Sequence, residues 1–306
     1  MRFLPRRYAP VLYVVVLLTS ACAHNLHIER GITYAEPKRE TLRATIYAPE
    51  GKEMEEPRPG ILLVHGGGWM FGGRNRVSWY AKRFARNGYV AMSIDYRKLP
   101  DYPFPACLHD AKAAVRWMRM HAEDLNMDPD RLAAFGSSAG GHIVGMLATT
   151  RPDDGFEGTE NLGPSSEIDA ALILYGAVDL TAYRAGLVGR TGSWFIRKLV
   201  KPFFDPGENV DMDEFEWASP ITYVHSGTPP VHLTHGTWDT IVPYVQSERF
   251  YEALQRAGIP SELQLYEKRN HAFDWLFPGE RRELFNEMEQ WLDSVLLGEE
   301  AEAGSP

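Results

Sequence analysis

The sequence predicts one α/β domain built on a mostly parallel central sheet flanked by helices, because short buried-strand signals alternate with helix signals along almost all of its 306 residues. Composition agrees: 44% hydrophobic and 24% charged residues, with no low-complexity tract or visible repeat, exclude a disordered or fibrous chain. A third observation is positional. Three turns that carry reactive side chains each follow a strand signal, as they do where a ligand sits at the carboxyl ends of a parallel sheet.

From the N-terminus, Arg2, Arg6 and Arg7 precede an apolar stretch over residues 9–18 and then Thr19-Ser20-Ala21-Cys22. That is the layout of a secretory leader over residues 1–21. A membrane span needs about 20 apolar residues, whereas this stretch is interrupted by Pro10 and ends in small polar residues. Ser20-Ala21-Cys22 resembles a bacterial lipobox, which implies lipidation of Cys22 and a membrane-anchored lipoprotein of the periplasm or outer membrane. Thr19 stands where leucine is commoner, so ordinary leader cleavage with secretion, and a plain N-terminal anchor, stay open. If Cys22 carries lipid, Cys107 is the remaining cysteine, which rules out an intramolecular disulfide. Cys107 itself reads as a small buried apolar residue.

The main domain is expected over residues 22–298. Strands are predicted at 42–49, 61–64, 89–94, 131–135, 170–175, 231–234 and 263–266, with helices over 106–121 and 244–257 among them. Alternation stops after Asp179, and residues of about 180–228 read as a small helical lid-like insertion rich in aromatics, Trp194, Phe195, Phe203, Phe204, Phe215 and Trp217 included. These rings either line a substrate pocket or pack on the flap's own core. The acidic tail at 299–306 reads as a solvated, disordered end.

The chemistry centres on Phe135-Gly136-Ser137-Ser138-Ala139-Gly140-Gly141, a Gly-x-Ser-x-Gly turn between a strand and a helix signal. Such a turn needs small flanking residues, because side chains at Gly136 or Gly140 would strike neighbouring backbone, and it exposes Ser138 as a nucleophile. Upstream, the 61–64 strand runs into His65-Gly66-Gly67-Gly68-Trp69. Glycines there let main-chain N–H groups approach a developing oxyanion. The expected donors are Gly67, Gly68 and Ala139, with Trp69 as an alternate. A phosphate loop is disfavoured by the missing Gly-Lys-Ser/Thr ending. Asp239 follows the 231–234 strand and His271 follows the 263–266 strand, giving the order serine, acid, histidine. In these roles His271 is the base and Asp239 its orienting carboxylate, with Asp179 as a second candidate acid. His65 and His142 are expected to brace the glycine loop and pack against it, and His235 to end a strand. With no His-Glu-x-x-His or comparable spacing, no metal site is indicated.

These motifs, with Asp95-Tyr96-Arg97, Phe104-Pro105-Ala106, Asp110, Gly236 and Val242-Pro243, resemble the α/β-hydrolase superfamily, specifically hormone-sensitive-lipase-like carboxylesterases and the acetyl xylan and feruloyl esterase type. The resemblance spans nearly the whole domain. It implies the α/β-hydrolase fold and hydrolysis of small or carbohydrate-linked carboxylic esters through an acyl-enzyme, with no cofactor. The 42–49 segment lacks the Leu-Asp-Val-Tyr wording common in these relatives, which weakens a subfamily assignment. A serine peptidase of the prolyl-oligopeptidase type and a catalytically silent hydrolase-fold binding protein stay open as alternatives.

Net charge of −9, falling to −12 without the three leader arginines, makes nucleic acid an unsuitable partner. The partner expected is a small-molecule ester, with membrane contact only through the lipid. Nothing in the sequence sets the oligomeric state.

Overall fold

The computed structural model describes residues 25–50, 56–184, 203 and 214–298. The expected leader with Cys22, most of the expected 180–228 insertion and the acidic tail lie outside these residues. Eight strands are described: β1 (Leu26–Ala35), β2 (Leu42–Pro49), β3 (Arg58–Val64), β4 (Val90–Ile94), β5 (Met127–Ser137), β6 (Ala170–Leu174), β7 (Val231–Gly236) and β8 (Ser261–Tyr266). They form one sheet in the order β1-β2-β4-β3-β5-β6-β7-β8. β1–β2 and β2–β4 are antiparallel and every later pairing is parallel, the architecture the sequence predicts. Among the described residues five longer helices cover it: α1 (Ser78–Arg86), α2 (Ala106–Met120), α3 (Ala139–Thr149), α4 (Val245–Arg256) and α5 (Pro278–Leu296).

The inner strands read as unbroken apolar runs because both faces of the sheet are covered. Every residue of β3 and β6 is buried. Successive side chains point to opposite faces, so Ile61 and Leu63 pack with Phe84 of α1 and Phe285 of α5. Leu62 and Val64 join the other face with Ile143 of α3 and Phe250 of α4. Each such Leu, Ile or Phe contributes about 1.5–3 kcal/mol by leaving water.

Strand order locates the site. From β3 the chain crosses through α1 to β4 on one side, then through α2 to β5 on the other. The loops leaving β3 and β5 therefore part in opposite directions and open a crevice at the carboxyl edge, the topological switch point where such sheets bind ligands. The glycine loop and Ser138 are those two loops.

The described part of the insertion departs from both expectations for its aromatics. Phe203 is buried with its ring 4.4 Å from Trp69 and 5.1 Å from Phe104, and Trp217 lies 4.9 Å from Phe104. Phe215 also packs on the main core. Backbone bonds hold these residues there: the Phe104 N–H donates to the Phe203 carbonyl at 2.9 Å and the Ile221 N–H to that of Val178 at 3.1 Å. The three rings thus extend the domain core and do not face the cavity described below. Trp194, Phe195 and Phe204 lie outside the described residues.

A buried ion pair ties the β4 exit to α2. The Arg97 guanidinium lies 2.7 Å from Asp110, whose second oxygen accepts the Arg97 N–H at 2.7 Å, and both side chains are almost wholly buried. Burial pushes the Asp110 carboxyl up, and the facing guanidinium opposes this. Deleting one charge leaves the other buried without its partner. Asp110→Asn should therefore lower stability by about 3 kcal/mol in urea unfolding; a change below about 1 kcal/mol would mean that water replaces the lost carboxylate.

Candidate active site

Ser138 sits at φ 55° and ψ −121°, a strained conformation for a residue with a side chain. Its surroundings enforce it. A Cβ at Gly136 would lie 2.2 Å from the Gly140 carbonyl oxygen, and one at Gly140 would lie 2.2 Å from that of Val64. Strand end, turn and helix start are therefore in backbone-to-backbone contact. The Ser138 N–H donates to the Leu174 carbonyl at 2.9 Å, which clamps the turn to β6.

The structure brings Ser138, His271 and Asp239 together. His271 Nε2 lies 2.8 Å from Ser138 Oγ, and its Nδ1 lies 2.6 Å from Asp239 Oδ2. Two contacts unite the acid and base loops. A Cβ at Gly236 would lie 2.3 Å from the Arg269 carbonyl oxygen, so glycine lets the β7 and β8 exits touch. Asn270 Oδ1 then accepts the Thr240 N–H at 3.1 Å. Asp179 is not part of this set: it pairs with Arg249 at 2.6 Å and accepts the Thr181 N–H.

Asp239 receives more donors than the sequence suggests. Its Oδ1 accepts the N–H groups of Ile241 and Val242, each at 2.8 Å. Its Oδ2 faces His235 Nε2 at 3.3 Å as well as His271. His235 Nε2 is also 2.8 Å from the Val242 carbonyl oxygen, so with two acceptors before it this nitrogen carries the proton. Nδ1 must then accept from the Ser247 hydroxyl at 2.7 Å. Burial works to raise the Asp239 pKa, yet the hydrogen bonds from His235 and then His271 outweigh it and hold it at about 2. His235 does more than end a strand, because it fixes the carboxylate that orients His271. No local motif announces this, since the pairing depends on how the turn closes.

Residues of the quoted motifs brace the glycine loop. The Tyr96 hydroxyl donates to the His65 carbonyl at 3.1 Å and its ring stacks on His65 at 4.4 Å. Asp95 accepts the Arg74 N–H at 2.9 Å and pairs with the Arg74 guanidinium. His142, fully buried, holds its Nε2 2.7 Å from the Ala218 carbonyl oxygen and receives the Trp69 indole N–H at Nδ1, 3.3 Å away. That proton arrangement locks elbow, glycine loop and insertion together. The N–H groups of Gly67, Gly68 and Ala139 donate to no acceptor among the described residues, which leaves them available beside Ser138.

A cavity of about 600 Å³ opens on the serine. Gly66, Gly67, Gly68, Ser138 and His271 line it together with apolar walls from Phe71, Ile241, Trp275 and Leu276. Tyr80 and Tyr175 also face it, and their hydroxyls donate to buried Asp274 at 2.9 and 2.6 Å. The Tyr175 ring, 4.7 Å from that of His271, forms one wall of the imidazole's seat. This tyrosine pair was not legible in the sequence. Among the described residues no three His, Cys, Asp or Glu side chains converge in a way that could hold a metal ion.

Such an arrangement can deprotonate a serine hydroxyl as it attacks a carbonyl and hold the resulting oxyanion by main-chain donors. The BD-FAE family model matches residues 45–254. Esterase LipC of Mycobacterium tuberculosis is 32% identical over 225 residues, covering 72% of this chain and 54% of that protein. In general the chain spans about half the length of the curated relatives it matches. Among solved structures, the butyrate-bound esterase Est2 of the planctomycete Thermogutta terrifontis superposes with a TM-score of 0.72 at 26% identity, covering 94% of this chain and 98% of that one. The same esterase phosphonylated by sarin gives 0.74 at 28% identity over 87% and 94% of the two chains.

The buried histidines predict a pH dependence. Burial lowers the pKa of His142 to about 4, and protonating Nδ1 would set an N–H against the Trp69 N–H. In the unfolded chain the same side chain takes its proton near pH 6.5. Between these values the unfolded state binds more protons, so the contribution is intact above pH 6.5 and is lost as pH falls toward 4. Urea unfolding should show a loss on the order of 2 kcal/mol from His142 at about pH 4.5 relative to pH 7. His142→Gln, whose amide can serve both partners, should remove that part of the dependence; an unchanged pH profile would contradict the assignment.

Proposed function

The chain belongs to the BD-FAE family, and from that premise we propose that it is a serine carboxylesterase of the hormone-sensitive-lipase-like kind, acting on small or carbohydrate-linked carboxylic esters. One observation carries the reading: the continuous Ser138–His271–Asp239 hydrogen-bonded chain, beside a loop of glycines, at the switch point of the sheet.

In this reading Ser138 Oγ attacks the ester carbonyl carbon while its proton passes to His271 Nε2. Negative charge gathers on the former carbonyl oxygen, where the N–H groups of Gly67, Gly68 and Ala139 receive it, each contributing about 3 kcal/mol. His271 then returns the proton to the leaving alkoxide, the C–O bond breaks, and the acyl group stays on Ser138. Water repeats the cycle, giving its proton to His271 as it attacks the acyl carbon; His271 hands that proton to Ser138 Oγ as the acyl–oxygen bond breaks, and the acid departs. Asp239 keeps Nδ1–H pointed at itself, so that Nε2 is the free base, and stabilises the imidazolium. Because Asp239 is held near pKa 2, it stays ionised throughout the working range. A cavity of about 600 Å³ suits a short acyl chain with a modest alcohol, and the butyrate in the Thermogutta esterase supports a short-acyl preference.

We further propose export with lipid on Cys22, supported by the leader layout and the Ser20-Ala21-Cys22 run. Two experiments test these readings. Hydrolysis of p-nitrophenyl acetate and butyrate should fall at least about 10⁴-fold in Ser138→Ala, with Asp239→Ala retaining more than Ser138→Ala; retained turnover in Ser138→Ala would remove the mechanism. The full-length protein expressed in bacteria should partition into the detergent phase of Triton X-114 and incorporate labelled palmitate, both lost in Cys22→Ala. An unlabelled, aqueous parent would remove the anchor.

A further inference from the structure

Among the described residues that line the cavity, Arg76 is the one with a permanent charge. Its role differs from that of its neighbour. Arg74 is neutralised by Asp95 and also donates to Thr45 at 3.2 Å. The Arg76 guanidinium, by contrast, has no carboxylate or carbonyl partner among the described residues; it lies 5.9 Å from the Trp275 ring, and its charge also reaches the buried His65 and Tyr96 side chains. Both side chains are exposed at the cavity.

Arg76 is nonetheless well placed. It lies in a short turn, Arg74–Val77, where its N–H donates to the Gly73 carbonyl at 2.9 Å and the next residue, Val77, is buried. Its stem runs against Gly72, where an added Cβ would lie 3.1 Å from Arg76 Cδ. The same loop carries Gly67 and Gly68, so the backbone position of the cation is set relative to the oxyanion donors. Trp275 comes four residues after His271. Arg76 and Trp275 therefore link the oxyanion loop and the base loop beside the cavity, with Phe71 and Leu276 adding apolar wall.

A bound ester would displace water from these walls and reduce the screening around the guanidinium. A neutral ester gains nothing from that charge. A carboxylate on the ester can accept two parallel N–H bonds from the guanidinium, a geometry that arginine offers and lysine does not. We propose that Arg76 is an anion subsite, selecting esters that carry a carboxylate on the acyl or alcohol side of the scissile bond. This rests on the esterase reading of the same cavity.

The test compares matched neutral and anionic esters in the full-length protein. On the acyl side these are p-nitrophenyl hexanoate and the p-nitrophenyl monoester of adipate; on the alcohol side, 4-acetoxybenzamide and 4-acetoxybenzoate. The readout is the ratio of kcat/KM, anionic over neutral, in the parent, Arg76→Gln, Arg76→Lys and Arg76→Glu. In at least one pair the parent ratio should exceed that of Arg76→Gln by about fivefold or more at low salt, shrink at high salt, recover only partly in Arg76→Lys and fall further in Arg76→Glu. Equal ratios in the parent and Arg76→Gln in both pairs would overturn the subsite while leaving neutral-ester turnover, and so the esterase reading, intact. If no ester is turned over, the esterase reading fails by itself. The subsite is then read from calorimetric binding of monomethyl adipate, which should be weaker in Arg76→Glu; equal binding would overturn it.

Discussion

Backbone touching backbone at the carboxyl edge of β3 and β5 is the constraint on which the site depends. Two loops meet there at three contacts with no room for a Cβ: Gly136 against the Gly140 carbonyl, Gly140 against the Val64 carbonyl, and Gly66 against the Ser137 carbonyl. This closeness sets Ser138 in its strained conformation and places a row of glycine amides beside it. Strain of this kind costs on the order of 1–3 kcal/mol and persists only where the surroundings over-determine it. Here the buried sheet, the Ser138–Leu174 bond and the His142 bridge do so.

The same logic extends outward. His271 is held between Asp239 and the Tyr175 ring, Tyr175 is held by Asp274, and Asp239 is held by two backbone amides and His235. Each reactive group therefore has its freedom removed by a neighbour that does not react. Preorganisation of this sort is where polar catalysis gains most, since no dipole has to turn as charge develops. The cavity walls are built differently, from exposed Phe71, Trp275 and Leu276, and they leave Arg76 as a charge with no carboxylate partner among the described residues.

Much of this was legible in the sequence because the signals are local. Glycines flanking Ser138, the glycine run after β3, and Asp239 and His271 after strand-like runs sit within a few residues of the features that place them. The parallel core was legible for a similar reason: strands buried on both faces are written as continuous apolar runs. β1 was missed because it is an edge strand, half exposed and interrupted by Gly31 at a bulge, so its alternation breaks. Tyr175 and Asp274 were missed as parts of the site because they meet across 99 residues, and Asp274 meets Tyr80 across 194, separations that no spacing rule encodes; His235 was missed although Asp239 is four residues on, because their pairing depends on how the turn closes. The described aromatics of the insertion were misjudged because ring-rich composition says nothing about which surface the rings meet.

The most direct measurement is the site of covalent capture. The protein would be treated with paraoxon, digested, and the modified peptide sequenced by mass spectrometry. The account predicts stoichiometric inactivation with one diethylphosphoryl group, attached to Ser138. An adduct on another residue, or a folded protein that is neither modified nor inactivated, would contradict it.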